Sequence, residues 1–461
     1  MKEDNDFIKG GEEDTREIVN RYEDMLRSNS VFYFDVYEFE NIIEHYLELH
    51  NAPDAGRAVE IARQQHPYST DLQLKQAEIF VAAEKLSEAS ELLDLLSRIE
   101  NSNAQVLFLQ GKVFLGLGIP SKAVECFSKM LALTVENRIE AIEDISAMLL
   151  DAGEAEHALP FLEIAITEDP ENENLWFDLA YCYDRQDKVP EAIKAYSQYL
   201  DFDPFNDSAW YNLGLIYSRE SEHAKALDAF EYAVAINDEM PVYLISLAHT
   251  FASLENYTKA ISLFDELLEV DENNTSALCS IGECYEKLGK WDIAAAFYEK
   301  TVELDPENAE AYFGLAVVMM ETNKLFESLA FVKKALKYDE VNSEYWYGLG
   351  KVYHKLGSEK EAIHAYQKAL ELEEDDVDSM AGLAYVYLES GEKDLAYSRF
   401  LSCIEMAPDA EFLVQAAILE YRKGQKKKAI DHVKRAIALD EEVGNKFFCE
   451  YPEAKENIDH F

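Results

Sequence analysis

From Glu173 onward the large and small apolar residues fall at Trp176, Leu179, Ala180 and Tyr183, and after a polar break at Ala192 and Tyr196, closing at Pro204. Steps of three and four place each group on one helix face, so the pattern predicts two amphipathic helices joined by a turn. The next stretch repeats the pattern 34 residues on, at Trp210, Leu213, Gly214, Tyr217, Ala226 and Phe230. Unit starts fall near residues 36, 70, 104, 139, 173, 207, 241, 275, 309, 343, 377 and 410, and from 139 to 377 the register advances by 34 every time. A period of that length sustained over the chain predicts stacked helix pairs, each packing only on its neighbours.

The pattern has a packing logic. Position eight of the unit is small in Gly111, Ala180, Gly214, Ala248, Gly282, Ala316, Gly350 and Ala384. Position twenty is small in Ala89, Ala123, Ala158, Ala192, Ala226, Ala260, Ala294, Ala362 and Ala396. Small residues let helix axes approach, and the recurring rings at positions eleven and twenty-four, such as Tyr285 and Tyr298, are expected to fill the space between them. Departures occur at Ile43 and Ser146 (position eight), at Ser328 (position twenty), and at Tyr199, Leu267 and Thr301, where a small residue is expected. Second helices end at Asp-Pro or Ala-Pro pairs such as Asp203-Pro204 and Asp305-Pro306; where Asp238, Glu272, Glu340 or Glu374 replaces the proline, the turn is expected to use Asn and Asp chemistry.

At this spacing the residues resemble the tetratricopeptide repeat family. The resemblance covers nearly the whole chain and implies an all-α fold, a right-handed α-solenoid of about twelve helix-turn-helix repeats. The expected organisation is an acidic N-terminal segment and cap over residues 1–35, the solenoid over 36–443, and a C-terminal capping segment over 444–461. The apolar clump Phe32, Tyr33 and Phe34 is expected to cover the first repeat, and Phe447, Phe448 and Tyr451 the last.

Composition narrows the function classes. The 461 residues carry 91 acidic and 42 basic side chains, a formal charge of −49. Such a surface disfavours nucleic acid and anionic membranes and suits either solubility or a basic partner. No apolar run reaches membrane-spanning length, and the acidic start MKEDNDFIKG has no leader-like apolar core. Six cysteines without paired spacing complete the expectation of a cytoplasmic chain with reduced thiols.

No catalytic, metal-binding or cofactor constellation emerges from the ten histidines and the scattered cysteines, so the expectation is a non-enzymatic chain without cofactor. The resemblance instead directs attention to the concave face, formed in the family by first-helix positions two, five, nine and twelve. Read at positions five, nine and twelve, it gives as groove candidates Phe177, Tyr181, Tyr211, Leu215, Ile245, His249, Phe313, Val317, Tyr347, Lys351, His354 and Tyr385. The basic and amide residues with which some members clamp a C-terminal carboxylate are replaced at positions five and nine of three adjacent units by Phe177, Tyr181, Tyr211, Leu215, Ile245 and His249. The expected function is an interaction scaffold binding peptide or helical segments of partner proteins in an apolar-aromatic groove. An alternative is a chaperone-like holder of apolar or basic clients. A second alternative is a ribosome- or RNA-associated factor using the basic last repeat, Arg422, Lys423, Lys426, Lys427, Lys428, Lys434 and Arg435, a patch that also admits the acidic flank of another copy of the chain.

Overall fold

A computed structural model describes residues 3–28, 30–134 and 137–457. Among these, every regular element is helical. After α1 (Glu3–Ser28) come α2 (Val36–Glu48), α3 (Ala52–Gln65), α4 (Thr70–Ala82), α5 (Leu86–Ile99), α6 (Ala104–Gly116) and α7 (Pro120–Leu133). They are followed by α8 (Arg138–Asp151), α9 (Ala155–Glu168), α10 (Glu173–Arg185), α11 (Val189–Phe202), α12 (Asp207–Arg219) and α13 (His223–Ile236). Next are α14 (Pro241–Ser253), α15 (Tyr257–Val270), α16 (Thr275–Lys287), α17 (Trp291–Leu304), α18 (Ala309–Glu321), α19 (Leu325–Tyr338) and α20 (Ser343–Lys355). The chain ends with α21 (Glu359–Leu372), α22 (Val377–Glu389), α23 (Lys393–Met406), α24 (Ala410–Arg422), α25 (Lys426–Leu439), α26 (Glu441–Glu450) and a 3-10 turn at Pro452–Asn457. The even-numbered helices from α2 to α24 start at the expected positions, except that α8 begins one residue early, at Arg138.

Packing separates two compact units, Met1–Ile216 and Tyr217–Phe461. In the first, α2 to α11 form five successive helix pairs, each also touching the next; in the second, α14 to α25 form six. This is the tile-by-tile core of a solenoid.

Turn chemistry explains the sharp starts and stops. Asn274 and Asn308 cap α16 and α18 by accepting from the backbone N–H of Ala277 (3.0 Å) and Ala311 (2.9 Å), and Asp376 caps α22 through Asp378 N–H (3.0 Å). Trp176, Trp210 and Trp346 each donate from the indole N–H to the carbonyl six residues earlier, Pro170, Pro204 and Glu340, at 2.8–2.9 Å. A ring at position four therefore latches the turn behind it.

Close approach needs glycine at two registers. A Cβ at Gly282 or Gly350, position eight, would fall on the ring of Tyr298 or Tyr366 of the same pair. A Cβ at Gly314 or Gly382, position six of the following pair, would fall on those same rings. Each tyrosine is thus slotted between two bare stretches of helix. Ile43, Ser146, Ser328 and Thr301 are fully buried; Ser328 Oγ donates to Ala316 O at 2.7 Å and Thr301 Oγ1 to Phe297 O at 3.0 Å, while Ser146 Oγ has no partner among the described residues.

At the N-terminal end α1 packs on α2, and Tyr22 and Phe34 are fully buried, while Tyr33 of the aromatic clump points outward. At the other end α26 packs on α24 and α25, with Phe447 fully buried among Tyr421, Phe448 and Tyr451.

Candidate functional site

In the first unit the groove candidates divide by environment. Phe177 is half-buried, its ring edge-on to Tyr196 (5.7 Å) and Tyr199 (5.2 Å) of α11, so much of it is spent within its own pair. Tyr211 is also half-buried, whereas Tyr181 and Leu215 are open to solvent, 39% and 41% exposed. The apolar reading missed a group on the same helix as Tyr181. Asp178 is half-buried on α10, and burial, with Glu143 adding repulsion, pushes its carboxyl up to about 6.

In the second unit Ile245 is half-buried, and His249 is accessible with its ring edge-on to Phe264 at 5.1 Å. Burial pushes the His249 imidazole below its ordinary value, with Glu283 pulling the other way. His354 pairs with Glu389 at 3.0 Å, and Tyr385 leans on Phe400 at 5.2 Å, so both are partly occupied by neighbours.

The structure brings four candidates together. Phe313, Val317, Tyr347 and Lys351 line one cavity of about 180 Å³ between α18 and α20, floored by Met320 and Val352. Phe313 packs on Tyr345 (4.7 Å), and its ring lies where a side chain at position 348 would go; glycine there keeps the recess open. Lys351 lies over the Tyr347 ring at 5.3 Å from its centre, showing that this aromatic face accepts a cation.

Carboxylates complete the wall. Glu286 and Glu344 line the cavity, with Glu283 and Glu310 beside them. Burial raises the carboxyl pKa of Glu286, Glu310 and Glu344; Glu283 adds repulsion at all three, while Lys287 offsets it at Glu286 and Glu344 and the Tyr298 hydroxyl, donating to Glu286 Oε2 at 3.1 Å, offsets it further. Glu310 and Glu344 are themselves exposed, and of the two only Glu344 lines the cavity. The position rule contained these residues: the unit from 275 supplies Glu283 and Glu286 at nine and twelve, and position two supplies Glu310 and Glu344. In so acidic a chain they carried no signal until the fold set them around one cavity.

Models of the tetratricopeptide repeat match residues 149–214 and 287–352, residues 343–376, and residues 201–241 and 245–309. The chain is a tetratricopeptide repeat protein. Comparison with curated proteins finds no match. Among solved structures this tetratricopeptide repeat chain is similar to YrrB, described as a TPR protein with an unusual peptide-binding site, at 27% identity over 39% of this chain and 95% of that one, TM-score 0.34. It is similar to a tetratricopeptide repeat protein of Parabacteroides merdae (22% identity, 54% and 98% coverage, TM-score 0.48) and to a chain of the APC/C Cut9–Hcn1 hetero-tetramer (15%, 89% and 89%, 0.46). Repeats of this family support a protein-interaction scaffold.

The basic last repeat is only partly free. Arg422 donates to Glu450 (2.6 Å) and to the Tyr451 hydroxyl (2.8 Å), Lys423 pairs with Asp394, and Lys426 lies over Tyr421 at 5.3 Å. Lys427, Lys428, Lys434 and Arg435 are exposed and form no ion pair with a described residue. Among the described residues no helix is long and apolar enough to cross a membrane, and no cluster of three His, Cys, Asp or Glu is placed for a metal.

Proposed function

We propose that this tetratricopeptide repeat protein is a scaffold that seats an extended or helical segment of a partner protein on the first-helix face, with Phe313, Val317, Tyr347 and Lys351 as its central contact. The cavity that these four residues share carries the reading, because a recess with apolar floor and aromatic walls is what an anchoring side chain needs. Tyr181 and Leu215 in the first unit, and His249 in the second, are exposed on the same registers and extend the surface available within each unit. In this reading α1 covers the first repeat of the first unit and α26 the last repeat of the second, and the six unpaired cysteines fit a reducing, cytoplasmic setting.

The test is binding of a synthetic peptide library to the full chain, with Val317→Arg as the groove variant and Phe326→Ser, on the exposed second-helix surface, as control. Loss of captured peptides with Val317→Arg alone is the expected result. Equal capture by both variants and the parent chain would remove the groove from the account.

A further inference from the structure

The cavity between α18 and α20 has a size and a charge that together specify its guest. At about 180 Å³ it is several times the roughly 30 Å³ of a water and smaller than the roughly 300–1,000 Å³ of small-molecule sites, which leaves one side chain as the fitting occupant. The floor is apolar and closed: Ala316, Val332 and Val352 are each about 1% exposed, and Met320 is 5% exposed. An aliphatic stem fits such a floor.

The rim is not apolar. Glu286 and Glu344 line it, and Glu283 repels both of them and Glu310. Nearby lysines offset the group only in part: Lys287 acts on Glu286 and Glu344, Lys351 keeps its charge in the cavity but rests on Tyr347, and Lys355 turns to Glu321 at 3.9 Å. Like charges gathered at one cavity are relieved by a cation, and the Tyr298 hydroxyl and Lys287 meet those of Glu286 and Glu344 only in part.

We infer that this cavity receives an arginine side chain of the partner segment, its stem on Val317, Met320 and Val352, its guanidinium between the aromatic walls and the Glu286 and Glu344 carboxylates. Arginine suits the place better than lysine because its guanidinium is planar, weakly hydrated, stacks on rings and pairs with carboxylates through two parallel donors. The inference rests on the groove reading above and adds the chemistry of the partner to it.

The probe is a set of synthetic peptide pools with randomised flanks and one fixed central residue, Arg, Lys, Gln, Leu or Glu, captured on the full-length chain. The Arg pool should bind about tenfold more tightly than the Gln and Leu pools, a difference of about 1.4 kcal/mol, with Lys between. The double variant Glu286→Gln/Glu344→Gln should abolish that preference. Its circular dichroism should be unchanged, since the amide oxygen of the first substitution still accepts from the Tyr298 hydroxyl. A matched control, Glu299→Gln/Glu303→Gln on the exposed side of α17, removes the same charge elsewhere and should leave the preference intact. Pools that bind and respond to Val317→Arg without favouring Arg would overturn the arginine pocket and leave the groove standing. An equal fall in both double variants would reduce the effect to net charge and overturn it as well. Failure of every pool to bind would remove both readings.

Discussion

At the scale of single residues, the spine side chains settle architecture, and the charged groups beside them carry the tension. Asp178 illustrates the point. Burial, with repulsion from Glu143, pushes its carboxyl up to about 6 in the folded chain against an ordinary value of about 3.9, so the folded state holds the proton more tightly than the unfolded one. The stability it contributes is present below the ordinary value and is lost as pH rises through about 6, leaving a cost at pH 7 of about 2 kcal/mol after allowance for partial exposure. Asp178→Asn should remove that cost. Since a repeat array opens locally, the readout is amide hydrogen exchange in α10, which should slow at pH 7 and change little near pH 4 relative to the parent. A gain of equal size at both values would mean that repulsion and burial of the charge are not the cause. The sequence displayed Asp178 as one acid among many; only its burial in the stack and the proximity of Glu143 on α8, two elements away, give it a distinctive role.

At the scale of the element, the helix pair is legible almost to the residue. The apolar spacing places eleven of the twelve first-helix starts where they occur, and caps such as Asn274 and Asp376 stand where proline-free turns were expected to lean on Asn and Asp. One regularity lay in the sequence unread. Position fifteen, in the turn within each pair, always has positive φ; it is glycine at 118, 153, 289, 357, 391 and 424, but His50, Glu84, Asp187, Ser221, Glu255 or Asn323 elsewhere. An alternation of glycine with unrelated polar residues has no evident common cause until the backbone shows it. Left-handed backbone costs a residue with a Cβ about 1 kcal/mol, and Glu255 (φ 60°) has an exposed side chain that offers no compensation through packing. Glu255→Gly should therefore slow hydrogen exchange in α14 and α15, corresponding to a stabilisation of about 1 kcal/mol. Faster exchange there would show that the freedom gained by the unfolded chain outweighs the strain relieved.

At the scale of the whole molecule, the net charge sets the expected response to salt. Ninety-one acids against forty-two bases leave a self-repelling body. Raising the salt from 0.01 to 0.1 M shortens the screening length from about 30 to about 10 Å, so repulsion spread over many residues should weaken while short ion pairs change less. The melting temperature should rise by a few degrees over that range. A fall instead would show that pairs such as Arg422–Glu450 and Arg21–Glu38 outweigh the net charge. The same reasoning bears on the proposed partner: if a basic segment seats at Glu286 and Glu344, raising the salt should weaken that association.

The sequence by itself determined the repeat, the pairing of helices, the buried aromatic spine and the register on which exposed first-helix residues lie. These follow from short-range periodicity, since three- and four-residue spacing sets a helix face and small residues at fixed positions set how closely the next helix can pack. Tertiary structure alone decided which of those registers come together in space. Phe313, Val317, Tyr347 and Lys351 share a cavity with Glu286 and Glu344, whereas Phe177 and Tyr385 lean on the second helices of their own pairs. The reason is geometric: residues separated by about a repeat length meet only through the stacking of one pair on the next, and that stacking depends on contacts such as Phe313 over Gly348, which periodicity does not encode.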